Sequence, residues 1–430
     1  MIRLFYNLLF PLVLLFFLPG YLVKMLRRGN YREKFGERLG FYDRATRRTL
    51  SGGRRAWVHA VSVGEVMIAL KLLATMKPRE PALRVVLTTT TTTGFALARQ
   101  RAPDWAEVLY TPLDFWPIMR RAFSVIRPLR IILVEAEIWP NMATIAQRRR
   151  IPLALVNARL SPRSERRFRR FRSFVRPYFQ KLDLICVPEP QDAVRWQSLG
   201  ARADRLHTVG SIKFDPENVA PQAEQPRALL ATLGVDPSRP ILLGGSTHRG
   251  EEEILGRILL ALRREFPALF LLIAPRHVER VREIEEQLQA SGLTTARWRD
   301  TAPAPAPDCL LLDTTGELRD WYPVATVVFI GKSLTTHGGP NPVEAIVADR
   351  PVVFGPHMEN FDRLAAALVE AGGALQPGDE AALRKVLADL LRDPERRERL
   401  VERARTVLDQ HRGATERTAL LLAELAGRRA

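Results

Sequence analysis

Several ionisable side chains of this 430-residue sequence come directly after short apolar runs, where they can take part in acid–base chemistry. Residues 57–65 pass from an apolar run through a Ser-Val-Gly turn to Glu65. A carboxylate at the start of a helix stays ionised, so Glu65 is suited to accept a proton from a hydroxyl as a general base. Ser62 and Glu65 also have the S-x-x-E spacing of a helix capping box, which requires no function. Spacing alone leaves both interpretations open.

Three further segments in the first half carry polar side chains in comparable positions. Six consecutive threonines occupy residues 88–93, where hydroxyls and backbone amides suit a phosphate or a sugar, although a plain strand end is an equal alternative. Glu135 and Glu137 follow another apolar run in a half of the chain that is otherwise basic, which favours a function for them. Lys213, in the segment 210–215, is a weaker signal on its own.

The second half of the sequence has the pattern of a nucleotide site. Residues 243–253 pass from an apolar run through Gly-Gly-Ser-Thr into a helix that starts with three acids, and glycine there lets backbone approach a phosphate. A plain helix cap is the alternative. The segments 275–277, 315–317 and 338–344 add an arginine for phosphate and glutamates for ribose hydroxyls. Neither G-x-G-x-x-G nor a Walker A loop is present, which weighs against nicotinamide and ATP.

The sequence gives no indication of a metal centre. Its two cysteines, Cys186 and Cys309, have no metal-ligand spacing, and its seven histidines form no H-E-x-x-H motif. It also contains no D-x-D pair of the kind that holds Mg²⁺ on a sugar nucleotide. We therefore expect a reaction without a metal or another cofactor, in which amides and basic side chains stabilise the leaving group.

Two series of apolar runs, separated by helical patterns, must position these segments. The first series comprises residues 56–61, 84–88, 130–134, 153–157, 184–187 and 206–209, and the second comprises 241–244, 269–274, 309–313, 327–330 and 351–354. Near-continuous apolar runs suit parallel strands buried on both faces. A polar linker at 215–227 separates the series. The sequence therefore predicts an α/β fold of two Rossmann-like domains, residues 27–217 and 228–430, that face one another across a cleft.

The N-terminus predicts a membrane anchor over residues 1–26. Residues 4–23 carry no charge, and a stretch of this length can cross a hydrocarbon core of about 30 Å. Lysine and arginine follow at once, so the positive-inside rule places the rest of the chain in the cytoplasm. Bulky residues at 21–23 disfavour a cleaved signal peptide. We expect an uncleaved anchor that either spans the membrane or lies in it.

The positive charge of the chain is confined to its first half. Residues 1–220 hold 38 Lys and Arg and 17 Asp and Glu, or +21, whereas residues 221–430 hold 27 and 30, or −3. One predicted helix, residues 163–176, contains seven arginines interleaved with Phe168, Phe171 and Phe174. Such a helix can lie on an anionic membrane leaflet. A solvated basic face over a core stripe, or an arginine-rich composition without a partner, is the alternative.

Together these segments resemble one family, the 3-deoxy-D-manno-octulosonic acid (Kdo) transferases of lipopolysaccharide assembly. The similarity covers essentially the whole chain, including residues 31–42, and it depends on the order and spacing of several short motifs. These are His-Ala-Val-Ser-Val-Gly-Glu at 59–65, Glu-Ile-Trp-Pro-Asn at 137–141, Asn-Ala-Arg-Leu-Ser at 157–161, Gly-Ser-Ile-Lys-Phe-Asp at 210–215, Ser-Thr-His at 246–248 and Asn-Pro-Val-Glu at 341–344. The sequence departs from the family pattern at Lys332, usually a glycine, and at Pro340, usually a histidine.

The resemblance implies a GT-B fold and the inverting, metal-independent transfer of Kdo from CMP-Kdo to the lipid A precursor, at the cytoplasmic side of the inner membrane. Glu65 matches the general base of the family, and Glu137 and Lys213 match residues that support the transition state. The expected donor contacts are Ser246, Thr247, His248, Pro275, Arg276, Thr315, Gly316, Glu317, Asn341, Pro342, Val343 and Glu344. The expected acceptor contacts are Thr91, Thr92, Arg159 and Ser161.

Two other functions remain to be weighed. One is a GT-B enzyme that transfers a sugar from a UDP-sugar to a lipid. Turnover with CMP-Kdo, compared with turnover with a UDP-sugar, distinguishes the two functions. The other is a membrane-bound nucleic-acid binder, but RNP-like aromatics, a helix-turn-helix and zinc ligands are all absent from the sequence. We therefore expect no nucleic-acid partner.

Overall fold

The computed structural model describes residues 2–28, 34–136, 138–216, 222–236, 238–299 and 306–427. It divides into two compact units: unit 1 contains Met1–Asp215 and Gly413–Ala430, and unit 2 contains Pro216–Arg412. Within the described residues each unit has one seven-stranded sheet, and neighbouring strands pair in parallel. The prediction of an α/β protein with two parallel sheets is therefore confirmed.

The sheet of unit 1 is formed by strands that are mostly buried on both faces. They are β1 Arg55–His59, β2 Val85–Thr89, β3 Ala106–Tyr110, β4 Pro128–Val134, β5 Leu153–Val156, β6 Leu184–Val187 and β7 Leu206–Thr208. Their order across the sheet is β3-β2-β1-β4-β5-β6-β7. Five of these strands match predicted runs closely, and β4 begins two residues earlier than predicted. Strand β3 was not predicted, because it lies at the edge and begins with the half-buried pair Ala106 and Glu107.

The helices of the first 215 residues cover both faces of this sheet. They are α1 Ile2–Arg28, α2 Phe35–Arg38, α3 Arg44–Ser51, α4 Val63–Met76, α5 Thr92–Arg101, α6 Trp116–Ile126, α7 Pro140–Arg148, α8 Pro162–Arg170, α9 Arg172–Phe179 and α10 Pro190–Ser198. Helices α7, α8 and α10 each begin with proline, whose missing N–H would be unpaired there in any case. The single arginine-rich helix predicted over residues 163–176 is wrong: Phe171 leaves helical geometry and separates α8 from α9.

Unit 2 repeats the architecture. Its strands are β8 Ile241–Thr247, β9 Phe270–Pro275, β10 Thr295–Arg297, β11 Cys309–Leu311, β12 Val327–Ile330, β13 Val352–Phe354 and β14 Ala374–Leu375. Its helices are α11 Glu224–Thr232, α12 Glu251–Leu262, α13 Val281–Ala290, α14 Leu318–Trp321, α15 Val343–Val347, α16 Asp362–Glu370, α17 Glu380–Arg392 and α18 Pro394–Asp409. The sheet order is β10-β11-β9-β8-β12-β13-β14. The unpredicted strands β10 and β14 are short and lie at the edges.

The last helix, α19 Ala414–Gly427, returns to unit 1, whereas the sequence placed everything after residue 228 in the second domain. It packs against α4 and β6, and its residues Ala419 and Leu422 belong to the core of unit 1. The buried carboxylate of Asp215 accepts hydrogen bonds from the backbone N–H groups of Gly413 and Thr415, both at 2.8 Å. These bonds attach the start of α19 to the end of the first 215 residues. They explain why unit 2 ends at Arg412 and not, as predicted, at residue 430.

The first turns of α1 are attached to the body of unit 1. The side-chain amides of Asn7 and Asn141 exchange two hydrogen bonds of 3.0 Å, and Arg3 Nε donates to the same Asn141 oxygen. The Tyr6 hydroxyl donates to the fully buried carboxyl of Asp114. Among the residues that the structure describes, no helix combines the length and the apolar character that crossing a membrane requires.

Candidate active site

Glu65 lies in the first turn of α4, directly beyond the carboxyl end of β1. Its carboxylate accepts a 2.8 Å hydrogen bond from the backbone N–H of Val61 and a 3.0 Å bond from the hydroxyl of Ser62. Ser62, the N-cap residue of α4, makes no side-chain bond to a helix N–H, so the reciprocal capping box considered from the spacing does not form. The carboxylate is held at the sheet edge by the loop rather than used to close the helix end.

Lys213 is brought to the same edge through Asn157, which ends β5. Asn157 adopts a left-handed conformation with φ of 50°, and its buried side-chain oxygen accepts from the backbone N–H of Ile212 at 3.1 Å and from Ser211 Oγ at 3.3 Å. Asparagine tolerates this conformation better than most residues. The motifs at 157–161 and 210–215, which are separate in the sequence, are thus joined by one side chain.

Glu135, which follows β4, was singled out in the sequence together with Glu137, but only Glu137 was given a role in the reaction. Its φ of 62° turns the chain sharply, and its backbone N–H donates to Val156 at 2.9 Å. Burial raises the pKa of the Glu135 carboxyl, while the nearby positive charges of Lys213 and Arg159 act in the opposite direction. The structure therefore places Glu135, Lys213 and Arg159 in one charged cluster. The predicted catalytic residue Glu137 lies outside the described residues.

His59 is a further residue at this edge whose side chain the sequence did not single out. It is fully buried, and its Nδ1 lies 3.1 Å from Thr88 Oγ1 and 3.2 Å from Thr111 Oγ1. Its Nε2 and the indole nitrogen of the neighbouring Trp139 are buried without a hydrogen-bond partner. Burial lowers the pKa of His59 to about 4, so the ring is neutral near pH 7.

Apart from Arg159, the predicted acceptor contacts lie at helix starts. Thr91 is the N-cap of α5, and its hydroxyl accepts from Gly94 N at 3.1 Å; Thr92 begins the helix and is half-buried. Ser161 caps α8 in the same way by accepting from Ser164 N at 3.1 Å. Both hydroxyl oxygens thus have a structural role, whatever they bind.

In unit 2 the carboxyl end of β8 is organised by Glu251, which the sequence showed only as one of three acids. Its fully buried carboxylate accepts four backbone N–H groups: that of His248 at 2.9 Å, and those of Lys332, Ser333 and Leu334 at 2.6 to 3.0 Å. Glu251 therefore fastens the loop after β12 to the loop after β8.

One polar atom near the end of β8, Nδ1 of His248, is buried without a hydrogen-bond partner. The neighbouring Thr247 side chain lies against the carboxyl of Glu252. The backbone N–H of Arg276, just after β9, donates to the carbonyl of Thr247 at 2.9 Å, so the exposed Arg276 side chain leaves the backbone beside the end of β8. Unpaired buried donors and acceptors are costly, which makes this edge suited to a polar ligand.

The remaining predicted donor residues lie on loops at the carboxyl edge of the same sheet. Thr315 and Gly316 are exposed after β11, and Glu317 accepts from Thr314 Oγ1. Asn341 Oδ1 accepts from Val343 N at 3.1 Å, and Glu344 is exposed in the first turn of α15. Pro275 ends β9, Ser246 is the second-last residue of β8, and Pro342 is the N-cap of α15.

Lys332 is the residue at which the sequence departs from the family's usual glycine, and it has a φ of 50°. This left-handed conformation is one that glycine adopts at little cost and lysine does not. The bond from its backbone N–H to Glu251 holds it there. The structure thus gives a physical reason for a glycine preference at this position and shows how this chain accommodates lysine.

The two parallel-sheet α/β units, each with polar residues at the carboxyl edge of its sheet, have the architecture of the GT-B fold. Among solved structures, a UDP-GlcNAc 2-epimerase from Neisseria meningitidis aligns with a TM-score of 0.55 at 11% identity, over 87% of this chain and all of that one. A glycosyltransferase from Rickettsia africae aligns with a TM-score of 0.54 at 10% identity, over 88% of this chain and all of that one. These likenesses establish the fold.

Sequence comparison identifies the family within that class. The family model for 3-deoxy-D-manno-octulosonic-acid transferase matches residues 33–216. The 3-deoxy-D-manno-octulosonic acid transferase of Haemophilus influenzae is 34% identical over 91% of both chains, and that of Bordetella pertussis is 36% identical over 84% of this chain and 85% of its own. The chain belongs to the Kdo transferase family, as its motifs predicted.

Proposed function

We propose that this protein transfers Kdo from CMP-Kdo to the sugar hydroxyl of a lipid A precursor, with inversion at the anomeric carbon. The observation that carries this proposal is the carboxylate of Glu65, fixed at the edge of the first sheet by Val61 N–H and Ser62 Oγ. A base must be held within hydrogen-bond reach of the hydroxyl it deprotonates, and a fixed carboxylate meets that need.

In the proposed reaction Glu65 takes the proton of the acceptor hydroxyl, and the oxygen of that hydroxyl bonds to the anomeric carbon of Kdo. The bond between that carbon and the CMP phosphate oxygen breaks, and its electron pair stays on the phosphate. Lys213 and Arg159 provide positive charge on the acceptor side for the carboxylate of Kdo or the phosphates of the lipid. Glu137 is proposed to assist the same step.

On the donor side, unit 2 supplies the groups that suit a cytidine nucleotide. Arg276 is proposed to balance the charge that grows on the leaving phosphate, and His248 offers a buried ring nitrogen that lacks a partner. Glu344 and Asn341 are proposed to hold the ribose and the base. These contacts need no metal, and the chemistry is proposed to proceed without one.

We further propose that the enzyme works at the cytoplasmic face of the inner membrane and contacts it through α1. This helix exposes large apolar side chains that the body of unit 1 does not cover: Leu4, Phe5, Leu8, Leu12, Val13, Leu15 and Phe16. A contiguous apolar surface of this kind is typical of a membrane contact. Phe171 and Phe174, about half exposed beside the arginines of α8 and α9, are proposed to add further apolar contacts to the membrane.

The deciding experiment incubates the full chain in mixed micelles with a tetraacylated lipid A precursor and either CMP-Kdo or a UDP-sugar, with the products resolved by mass. A lipid product heavier by one or more Kdo residues, formed only from CMP-Kdo, supports the proposal. Product formed from the UDP-sugar would instead favour the alternative GT-B function. No product from either donor in the presence of a correctly folded enzyme contradicts both.

A further inference from the structure

Two histidines and a glutamate come together on loops at the carboxyl edge of the unit 2 sheet. His337 Nδ1 lies 2.6 Å from Glu359 Oε1, and His357 Nδ1 lies 3.5 Å from the same oxygen. The imidazole rings have centroids 4.0 Å apart. The atoms of the three side chains that can bind a metal all lie within 4.8 Å of one another.

The backbones that carry these side chains are joined to each other. Glu359 Oε2 accepts from Gly338 N at 2.7 Å, and the backbone N–H of Asn360 donates to Gly338 at 3.1 Å. The backbone N–H of His357 donates to Ser333 at 2.9 Å. The three side chains are thus presented by the loop after β12 and the loop after β13, which are fixed relative to one another before any ligand binds.

We propose that His337, His357 and Glu359 form a binding site for a divalent transition-metal ion of the zinc type. Imidazole nitrogen and carboxylate oxygen are ligands that Zn²⁺ accepts, and three protein ligands leave a fourth position for water. Ligand atoms around a tetrahedral Zn²⁺ lie about 3.3 Å apart at the usual bond lengths. The His357–Glu359 pair already has that spacing, and the His337–Glu359 pair reaches it by a small side-chain rotation once the ion replaces the proton.

The donor set and the exposure of the cluster agree with this geometry. The three side chains offer two imidazole nitrogens and one carboxylate oxygen, a donor set that suits a divalent transition-metal ion. The site is partly exposed, with His357 at 32% of its side-chain accessibility, so an ion can reach it from solvent.

Occupancy of this site would link the two loops. The loop after β12 continues to Asn341 and α15, so a bound ion restrains the segment proposed to contact the nucleotide without touching the reacting atoms. This structural role is separate from the transfer reaction, which is proposed to need no metal. The sequence gave no sign of the site, because His337 is 20 and 22 residues away from the other two ligands and the three resemble no metal motif.

The test is calorimetric titration of ZnCl₂ into the full chain, prepared without a histidine tag. Wild type is expected to bind one Zn²⁺ per chain, reversed by EDTA, with the affinity reduced about tenfold or more in His337→Ala, His357→Ala and Glu359→Gln. The matched control is His277→Ala, since His277 lies 3.2 Å from Glu279 but, among the described residues, the pair belongs to no group of three potential ligands. This control is expected to bind Zn²⁺ as wild type does.

Hydrogen exchange provides a second readout. Zn²⁺ is expected to slow amide exchange in residues 331–342 of wild type and to leave the three ligand variants unchanged. The proposal is overturned if wild type binds no Zn²⁺, or if variants that remain folded by circular dichroism bind it as tightly as wild type. Because three independent substitutions test one site, a single misfolded variant does not prevent a decision.

Discussion

The backbone N–H of Val61 and the carboxylate of Glu65 are joined by a 2.8 Å hydrogen bond that directs the glutamate back towards the end of β1. The Ser62 hydroxyl donates to the other carboxylate oxygen at 3.0 Å. Both carboxylate oxygens thus accept a hydrogen bond from the turn before α4, which fixes the position of the carboxylate. A glutamate that only organised this turn could be replaced by glutamine without loss of turnover, whereas a general base could not, and this difference can be tested.

Glu65→Gln is expected to abolish Kdo transfer and to leave CMP affinity nearly unchanged. The amide oxygen of glutamine can still accept from Val61, so the loop is preserved, but the amide cannot accept a proton from the acceptor. Turnover assays and calorimetric titration with CMP measure the two effects. Ser62→Ala is the control and should keep most of the turnover; substantial turnover in Glu65→Gln would instead assign the residue a structural role.

Arg276→Ala and Glu344→Ala are each expected to weaken CMP binding by roughly 1–3 kcal/mol, through the loss of phosphate or ribose contacts. Both side chains are exposed, so neither substitution should affect folding. Calorimetry with CMP gives the affinities. Arg264→Ala, an equally exposed arginine beyond the end of α12, serves as the control. Unchanged affinity in both test variants would refute the location of the nucleotide site.

Charge reversal of four arginines on α8 is expected to reduce binding to anionic vesicles and to raise the apparent KM for the lipid acceptor. Basic residues near an anionic leaflet contribute about 1 kcal/mol each. Added salt should weaken wild-type binding in the same direction, and CMP affinity should stay unchanged. The residues changed to glutamate are Arg166, Arg167, Arg169 and Arg170, all exposed.

A matched control for this variant reverses four exposed basic residues of unit 2, which makes the same change in net charge. They are Arg264, Arg282, Arg384 and Lys385. Vesicle co-sedimentation is expected to show a large loss for the α8 variant and a smaller one for the control. Equal binding by the folded α8 variant and wild type would identify α8 as a solvated face.

Asp114 is expected to make the stability of unit 1 depend on pH. Burial raises its pKa to about 7, from an ordinary value near 3.8. The folded state therefore holds this proton more tightly than the unfolded state, so the contribution is full below about pH 4 and is lost as the pH rises through about 7. The change is on the order of a few kcal/mol.

Asp114→Asn removes this titration while it keeps an acceptor for the backbone N–H of Asn141 or Met142. Chemical denaturation between pH 4 and 8 should show a smaller loss of stability with rising pH in the variant than in wild type. Identical slopes in the two proteins would mean that the carboxyl titrates near its ordinary pKa.

EDTA is expected to leave turnover intact, because the proposed chemistry uses only protein side chains. The assay compares initial rates with and without EDTA after dialysis against metal-free buffer. A loss of activity that Mg²⁺ restores would contradict the metal-independent mechanism. A loss that only Zn²⁺ restores would instead connect the proposed His337 site to turnover.

The parallel sheets and most of their strands were predictable from the sequence, because a strand buried on both faces leaves a local signature of consecutive apolar residues. The starts of α7, α8 and α10 also have a local signature, because proline favours the first position of a helix. The break at Phe171 was not predictable, because the charge and aromatic spacing on either side continues the same helical period.

Several site residues could not be predicted because their roles depend on contacts between distant segments. Asn157 acts through Ile212, 55 residues later, and Glu251 through backbone groups more than 80 residues later. Asn141 belongs to a recognised motif, yet its side chain binds Asn7 of α1. In the sequence each is one polar residue among many, and only the folded chain shows which of them connect loops.

The return of α19 to unit 1 constrains the order in which the protein can be completed during synthesis. Residues 216–412 must leave the ribosome before Ala419, Leu422 and Leu425 can fill their places against the first 215 residues. Until then unit 1 exposes the apolar surface that α19 later covers, and the Asp215 carboxylate lacks its three partners on Gly413 and Thr415. Unit 1 therefore cannot complete its fold until unit 2 has been synthesised. In that interval the nascent chain is most prone to bind chaperones or to aggregate.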